Sequence, residues 1–242
     1  RLLSNLHVDR IIHVSFDESL RRTDAEDFVS SVLPALGVKQ LYAGADFAFG
    51  RGRGGQVDTI NDYGASVGIA AFSVPLLQDE NSVVISSSRI RAALQAGDPA
   101  AAAAMLGRDW AVTGTVIKGD QRGRKIGFPT ANITLETLQQ PAFGVYAVEV
   151  DVDDGQASPQ RRAGGVANIG VRPTFEKKDV LCEAHLFDSD CDLYGQRLLV
   201  RLKAFLRPEK KFAGIDELLA QISTDVNHAR RILSDLHLRQ SG

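Results

Sequence analysis

The hydrophobic periodicity of the chain changes near Gly107, and this change constrains the fold more than any other feature. Before it, strand-like segments at residues 10–15, 40–43 and 69–74 alternate with stretches of helical period. Strands separated by helices are typical of a parallel sheet. Residues 1–107 are therefore predicted to form an α/β domain.

After Trp110 the helical period disappears, and short strand-like segments follow one another between turn residues. Many short strands at this spacing predict an antiparallel barrel or sandwich. Apolar residues then recur at helical spacing over 218–236, which predicts a terminal helix with one packed face. Residues 108–242 are thus expected to form a second domain. Its predicted strands lie at 111–117, 144–152, 162–169, 180–187 and 197–205.

Composition excludes several classes of protein. The chain has 242 residues, is 44% apolar and carries a net charge of −2, which excludes global disorder and argues against a protein built mainly to bind nucleic acid. The longest apolar run, residues 100–106, is far shorter than the roughly 20 residues of a membrane span. No sustained apolar stretch follows residues 1–5, so a signal peptide is not expected. We therefore expect a cytoplasmic protein without a membrane partner, and its oligomeric state is left open.

The segment 118–133 combines glycines with clustered cations. Glycines allow close backbone approach to a ligand, and the cations can neutralise a polyphosphate. The alternative is a basic hairpin turn followed by a strand. The candidate binding residues are Gly119, Arg122, Gly123, Arg124, Lys125, Gly127 and Pro129.

Two further residues of this segment, Thr130 and Asn132, are candidate metal ligands. They are two positions apart, so an extended backbone places their side chains on one face. A hydroxyl and an amide oxygen suit Mg²⁺, which takes few protein ligands and completes its shell with phosphate oxygens and water.

Glu183 lies in the middle of a predicted strand, and alternation places it on the same face as His185. A carboxylate in this position can act as a general base. The competing interpretation is a solvated, outward-facing side chain. For His185 the expectation is a hydrogen-bonded strand histidine.

Two N-terminal segments are also candidates for phosphate binding. Residues 50–55 fit G-x-G-x-x-G but lack the acidic residue about 20 positions on that a dinucleotide site requires, so a basic loop around Arg51 and Arg53 is favoured. Ser86 precedes a helix that carries Arg89 and Arg91. It can be an ordinary N-cap or part of an anion site.

Taken together, several segments resemble the bifunctional bacterial riboflavin kinase/FMN adenylyltransferases, also called FAD synthetases. The matching segments occur in the family's order and span nearly the whole chain. They are residues 44–50, 86–91, 119–132, 168–175, 183–186, 192–195 and 205–210.

This resemblance implies an incomplete Rossmann-like nucleotidyltransferase domain over 1–107 and a six-stranded antiparallel riboflavin kinase barrel with a C-terminal helix over 108–242. It implies transfer of the ATP γ-phosphate to the 5′-hydroxyl of riboflavin, giving FMN. Thr130 and Asn132 would hold Mg²⁺ and the phosphates, and the loop from Gly119 to Gly127 would close over the nucleotide. Glu183 would be the general base, and Arg207 would contact the flavin side.

One departure from the family concerns its His-x-Gly-His phosphate site, which has no match here. We therefore expect the chain as printed not to make FAD at a useful rate, although a complete parent protein would. Two alternatives remain open at this stage: an enzyme that also adenylylates FMN to FAD, and a non-catalytic barrel that binds flavin.

Overall fold

The computed structural model describes residues 2–3, 6–119, 123, 126–135, 138–153, 162–173, 178–189 and 192–240. They form two compact units, Leu2–Ile85 and Ser86–Gly242. The first contains α1 (Glu18–Arg22), α2 (Ala25–Asp27), a π-helical turn (Phe28–Val32), α3 (Leu33–Ala35), β1 (Gln40–Gly44), α4 (Val57–Gly64) and β2 (Ala70–Val74).

The first unit confirms the predicted α/β arrangement. Strands β1 and β2 pair in parallel, and α4 lies between them in the chain. Asn61 on α4 bonds to both backbone groups of Ala71, accepting from its N–H at 2.7 Å and donating to its carbonyl at 3.1 Å. Ile60 and Val29 are fully buried between the helices and the sheet. The helix is thus fixed to the sheet by packing and by a side-chain bridge.

The predicted strand at residues 10–15 is wrong. Residues 8–17 have no regular secondary structure, and Ile11, Ile12 and Val14 are about half exposed. A strand needs a neighbour that completes its backbone hydrogen bonds, and β1 pairs only with β2 among the described residues. The apolar pattern of a segment does not show whether a neighbouring strand is present to pair with it.

The second unit opens with two helices, α5 (Ser87–Gln95) and α6 (Pro99–Leu106). Six strands follow: β3 (Ala111–Thr115), β4 (Ala131–Thr134), β5 (Gly144–Val152), β6 (Arg162–Pro173), β7 (Lys178–Leu186) and β8 (Arg197–Arg207). They form one antiparallel sheet in the order β3-β8-β5-β6-β7-β4. The last element is a long helix, α7 (Ile215–Gln240).

The sheet is a nearly closed barrel, because its two edge strands meet. The N–H of Ile117, just after β3, donates to the carbonyl of Asn132 on β4 at 2.9 Å. This contact brings the beginning of the glycine-rich segment beside β4. The barrel and the C-terminal helix confirm the architecture that the resemblance implies.

Strand β5 is buried on both of its faces. Tyr146, Val148 and Val150 point into the barrel, whereas Val145 and Ala147 pack on the other side with residues of α7. The same interior contains Cys182, whose thiol is free. Burial, followed by the charge of Glu183, raises the pKa of Cys182 to about 12, so the thiol stays protonated and packs as a small apolar group.

Helices α5 and α6 pack with the barrel. The N–H of Ala142 donates to the carbonyl of Leu94 at 2.8 Å, and Gly97 lies against the ring of Phe205. The contacts therefore divide the chain after Ile85, whereas the periodicity of the sequence changes near Gly107. A functional boundary between residues 107 and 108 remains a prediction.

Among the described residues, no helix is both long enough and apolar enough to cross a membrane.

Candidate functional site

The barrel unit contains a pocket of about 510 Å³. Strands β4 to β7, the segment after β8 and the first turns of α7 contribute to its walls. Phe212, Leu218 and Ile222 provide apolar surface, whereas Thr130, Asn132 and Glu183 provide polar groups. Concave sites with mostly apolar walls and a few convergent polar groups are typical of small-molecule binding.

Three polar side chains lie side by side across neighbouring strands of this wall. Asn132 on β4 is paired with Glu183 on β7, and Glu183 is paired in turn with Asn168 on β6. Residues directly opposite each other in antiparallel strands share a face, with Cβ atoms about 4.5–5.5 Å apart. The register therefore places a carboxylate between two amides in the pocket, and Glu183 is not simply a solvated surface residue.

Asn132 contributes a buried acceptor. Its side chain is 5% exposed, and its Oδ1 has no hydrogen-bond partner among the described residues. Its Nδ2 donates only a long bond, 3.4 Å, to the carbonyl of Thr130. A buried polar atom without a partner is destabilising, so an unsatisfied oxygen at this position is expected to have a ligand in the working protein.

Gly119 lies against Asn132 and has to be a glycine there. A Cβ atom at this position would lie 2.7 Å from Asn132 Nδ2 and 3.0 Å from its Cγ, closer than side chains tolerate. The glycine therefore allows the loop backbone to cross directly over the asparagine. This close approach connects the predicted glycine loop with the predicted metal ligand.

The turn that follows also brings predicted residues together. The carbonyl of Gly123 accepts from the N–H groups of Ile126 and Phe128, at 3.1 and 2.9 Å, and Gly127 has a positive φ of 86°. Gly123 and Thr130 both line the pocket. The carbonyl of Pro129 contacts His185 Nδ1 at 2.9 Å. Three other predicted binding residues, Arg122, Arg124 and Lys125, lie outside the described residues.

Arg207, at the end of β8, is held in one orientation by α7. Its guanidinium donates to both carboxylate oxygens of Asp225, at 2.8 to 3.1 Å, and to the carbonyl of Pro208 at 3.0 Å. Gln221 donates to the same carboxylate at 2.9 Å. The guanidinium carbon also lies 5.7 Å from the centre of the Phe212 ring. A fixed cation therefore borders the apolar part of the pocket.

Two family models match the chain: one described as riboflavin kinase covers residues 106–233, and one described as FAD synthetase covers residues 1–89. The bifunctional riboflavin kinase/FMN adenylyltransferase of Escherichia coli (strain K12) is 40% identical over 231 residues, which are 95% of this chain and 72% of the relative. The chain belongs to the bifunctional riboflavin kinase/FMN adenylyltransferase family. The protein of that name from Bacillus subtilis (strain 168) is 36% identical and covers 97% of this chain.

One solved structure shares the fold of this chain. The crystal structure of a protein described as a macrolide-efflux protein from Streptococcus pneumoniae superposes with a TM-score of 0.77 and 29% identity. It covers 92% of this chain and 70% of its own. The fold is thus shared over most of both chains.

Sequence reasoning missed several residues that the fold brings to this pocket. Asn168, Glu209 and Asp225 all line it, and Asn168 Nδ2 lies 3.4 Å from Glu209 Oε1. Asn168 and Glu209 lie in segments that carried the resemblance, which was the available signal. Asp225 had no such signal, because its partner Arg207 lies 18 positions away on another element.

The Arg207–Asp225 pair leads to a prediction about stability. The two side chains are only 19% and 8% exposed, so Asp225→Asn leaves a poorly solvated cation without its counter-charge. Removing one partner of a fully buried pair costs about 3–5 kcal/mol, and the partial exposure of Arg207 reduces the expected loss in unfolding free energy to about 2 kcal/mol. Urea denaturation measures it.

The matched control is Asp188→Asn, which breaks a similarly two-pronged pair with Arg230 at 2.9 and 3.0 Å. There the two side chains are 78% and 45% exposed. Because solvent screens an exposed pair, this variant should unfold at the same urea concentration as the unsubstituted protein. Equal effects of the two substitutions would contradict a structural role for the Arg207–Asp225 pair.

Proposed function

We propose that the barrel of this protein is a riboflavin kinase, which transfers the γ-phosphoryl group of ATP to the 5′-hydroxyl of riboflavin. The observation that carries this proposal is the cross-strand row of Asn132, Glu183 and Asn168 inside a pocket with an apolar wall. The row provides a base next to amide groups, and the pocket provides room for a flavin. Family membership supports both substrates.

The apolar part of the pocket suits the flavin ring system. Phe212, Leu218 and Ile222 can pack against a flat aromatic surface, and Arg207 borders them with its fixed guanidinium. In this orientation the ribityl chain extends toward Glu183. Apolar walls give affinity, while the few polar groups determine the orientation of the ligand.

Glu183 would act as the general base. The 5′-hydroxyl oxygen forms a bond to the γ-phosphorus while the bond from that phosphorus to the β-phosphate bridging oxygen breaks. The hydroxyl proton passes to the Glu183 carboxylate, and ADP departs with the bridging oxygen. Phosphoryl transfer depends mainly on positioning and charge neutralisation, so one well-placed carboxylate is sufficient on the acceptor side.

The residues present fit a magnesium ion. The unsatisfied Oδ1 of Asn132 and the nearby hydroxyl of Thr130 are neutral oxygen donors of the kind that Mg²⁺ accepts, with phosphate oxygens and water as its remaining ligands. These two residues would hold the ion together with the nucleotide. When bound, it neutralises phosphate charge. Gly119, Gly123, Gly127 and Pro129 shape the loop that would cover the phosphates, and Arg122, Arg124 and Lys125 would add positive charge.

The proposed reaction defines the partners of the protein. They are small molecules, riboflavin, ATP and FMN, and neither a nucleic acid nor a membrane is part of the proposal. We propose a cytoplasmic location, where the ATP that this reaction requires is available. A second candidate activity, adenylylation of FMN to FAD, is favoured by the FAD synthetase model that matches residues 1–89.

Chromatography of the flavins formed from riboflavin, ATP and Mg²⁺ tests the proposal. We expect FMN to accumulate in proportion to enzyme and to require ATP. FMN followed by FAD would add the second candidate activity and would contradict the expectation that this chain does not make FAD at a useful rate. A folded protein that binds riboflavin and forms no FMN would overturn the kinase in favour of a flavin-binding barrel.

A further inference from the structure

The β4–β7 ladder ends at a proline. Ala131 is paired with Ala184, and the N–H of Leu135 donates to the carbonyl of Val180. Hydrogen-bonded pairs recur at every second residue of an antiparallel ladder, so the next such position before Ala131 is Pro129. Proline has no N–H, and the regular ladder cannot continue through it.

A side chain contacts the carbonyl group that this proline retains. His185 Nδ1 lies 2.9 Å from the Pro129 carbonyl oxygen, across 56 positions of sequence. A carbonyl oxygen can only accept, so Nδ1 has to carry the proton and donate. The hydrogen bond thus ties the residue before Thr130 to strand β7.

Two aromatic contacts fix the orientation of the histidine ring. The ring of Phe128 meets it nearly edge-on, with 5.3 Å between centroids and 72° between planes. Phe187 meets it in a similar way, at 6.5 Å and 68°. Edge-to-face contacts of this kind favour one orientation of an aromatic ring. The donor is therefore held in place before any ligand binds.

His185 also shares its strand face with Glu183, two positions earlier, and both line the pocket. Strand β7 therefore carries the proposed base, Glu183. Through the hydrogen bond from His185 to Pro129, the same strand also anchors the segment that contains Thr130. We infer that His185 is a positioning residue, which fixes Thr130 relative to Glu183 so that the nucleotide phosphates meet the acceptor hydroxyl. This inference rests on the proposed kinase function.

Two substitutions separate this role from others. His185→Asn keeps an amide N–H at nearly the place of Nδ1 but cannot transfer a proton near neutral pH. His185→Leu has a comparable volume and no donor. A positioning role predicts that Asn rescues what Leu loses, whereas a role in proton transfer predicts that both variants fail.

The first measurement is calorimetric titration of each variant with MgADP, which needs no turnover. Loss of a group that orients a metal-binding residue typically costs about 10- to 100-fold in affinity, so we expect a loss of MgADP affinity of that size for His185→Leu, and an affinity within about threefold of the unsubstituted protein for His185→Asn. The KM for ATP should follow the same order. Riboflavin affinity, measured by flavin fluorescence, should be unchanged in both.

His228→Leu is the matched control, because it makes the same substitution at an exposed position of α7. It should bind MgADP like the unsubstituted protein. MgADP affinity retained in His185→Leu would overturn the inference while leaving the kinase intact, provided that the unsubstituted protein forms FMN. Absence of FMN from the unsubstituted protein would overturn the proposed function itself.

Folding of the variants is followed by thermal denaturation. If His185→Leu does not unfold cooperatively, His185→Asn still decides the question. If the His185→Asn variant keeps both the MgADP affinity and the KM for ATP of the unsubstituted protein, the result supports a hydrogen-bond donor that positions the loop. A loss of MgADP affinity of about tenfold or more in His185→Asn would overturn the inference, because a hydrogen-bond donor at this position would then not be sufficient.

Discussion

In Glu183→Gln we expect kcat for FMN formation to fall by about 10²- to 10⁴-fold, which is the usual contribution of a general base. Glutamine keeps the shape of the side chain and one acceptor oxygen next to Asn132 and Asn168. It cannot take the proton of the ribityl hydroxyl. Riboflavin and MgADP affinities should stay within about threefold, because the interaction that is lost forms only in the transition state.

Single-turnover formation of FMN measures this effect without a contribution from product release. Glu26→Gln, at an exposed position of the first unit, is the matched control and should not change the rate. If kcat in Glu183→Gln stays within about threefold of the unsubstituted enzyme, Glu183 is not the base. If riboflavin binding disappears together with turnover, Glu183 positions the substrate instead of accepting its proton.

Local signals in the sequence predicted most elements of the barrel unit. Strand β5 has the predicted bounds, because it begins with a glycine and an Asp-Asp-Gly turn follows it in the sequence. Helix α6 is likewise delimited by local signals. It begins after the N-cap Asp98, whose side chain accepts from the N–H of Ala101, and it ends at Gly107 with a φ of 66°. Caps and turns are encoded within a few residues, so they can be recognised without the tertiary structure.

Elements that depend on a distant partner were harder to predict. The short strand β4 contains only four residues, and its pairing with β7 spans about 50 positions of sequence. The segment at residues 10–15 is the opposite case. Its apolar pattern predicts a strand, but the described residues provide no partner strand for it. Strand pairing is a property of the whole sheet and not of one apolar run.

The residues of the candidate site also fall into two groups, those that local sequence signals predict and those that depend on tertiary contacts. Glu183, Thr130 and Asn132 were predicted from residue type and spacing, and the family resemblance assigned their roles. The placement of Asn168 beside Glu183 depends on the register between β6 and β7. The anchoring of Arg207 by Asp225 depends on where α7 packs. Neither contact follows from a local pattern.

The unsatisfied amide oxygen of Asn132 predicts opposite effects on stability and on activity. Asn132→Leu keeps the branched shape of the side chain and removes the buried acceptor that has no partner. The long bond from Nδ2 to the Thr130 carbonyl, 3.4 Å, is a small loss. An unsatisfied buried polar group costs about 1–3 kcal/mol, so we expect the leucine variant to be more stable by about 1 kcal/mol.

The same substitution should lower kcat/KM for ATP by about 10²- to 10³-fold, the usual effect of removing one group that stabilises charge in the transition state. Asn132→Asp is the matched comparison. It keeps an oxygen at the proposed magnesium position but places a second carboxylate opposite Glu183 in a buried environment. Its stability without ligand should fall, because burying a charge without a partner is costly.

The order of unfolding free energies in the absence of ligand should therefore be Leu, then the natural Asn, then Asp, as measured by urea denaturation. The order of activities at saturating Mg²⁺ should be Asn, then Asp, then Leu. A stabilised leucine variant that is inactive would mean that Asn132 is retained for ligand binding at a cost in stability. Loss of stability in the leucine variant would instead show that Oδ1 has a structural partner, and would remove the main physical argument for a magnesium ligand at this position.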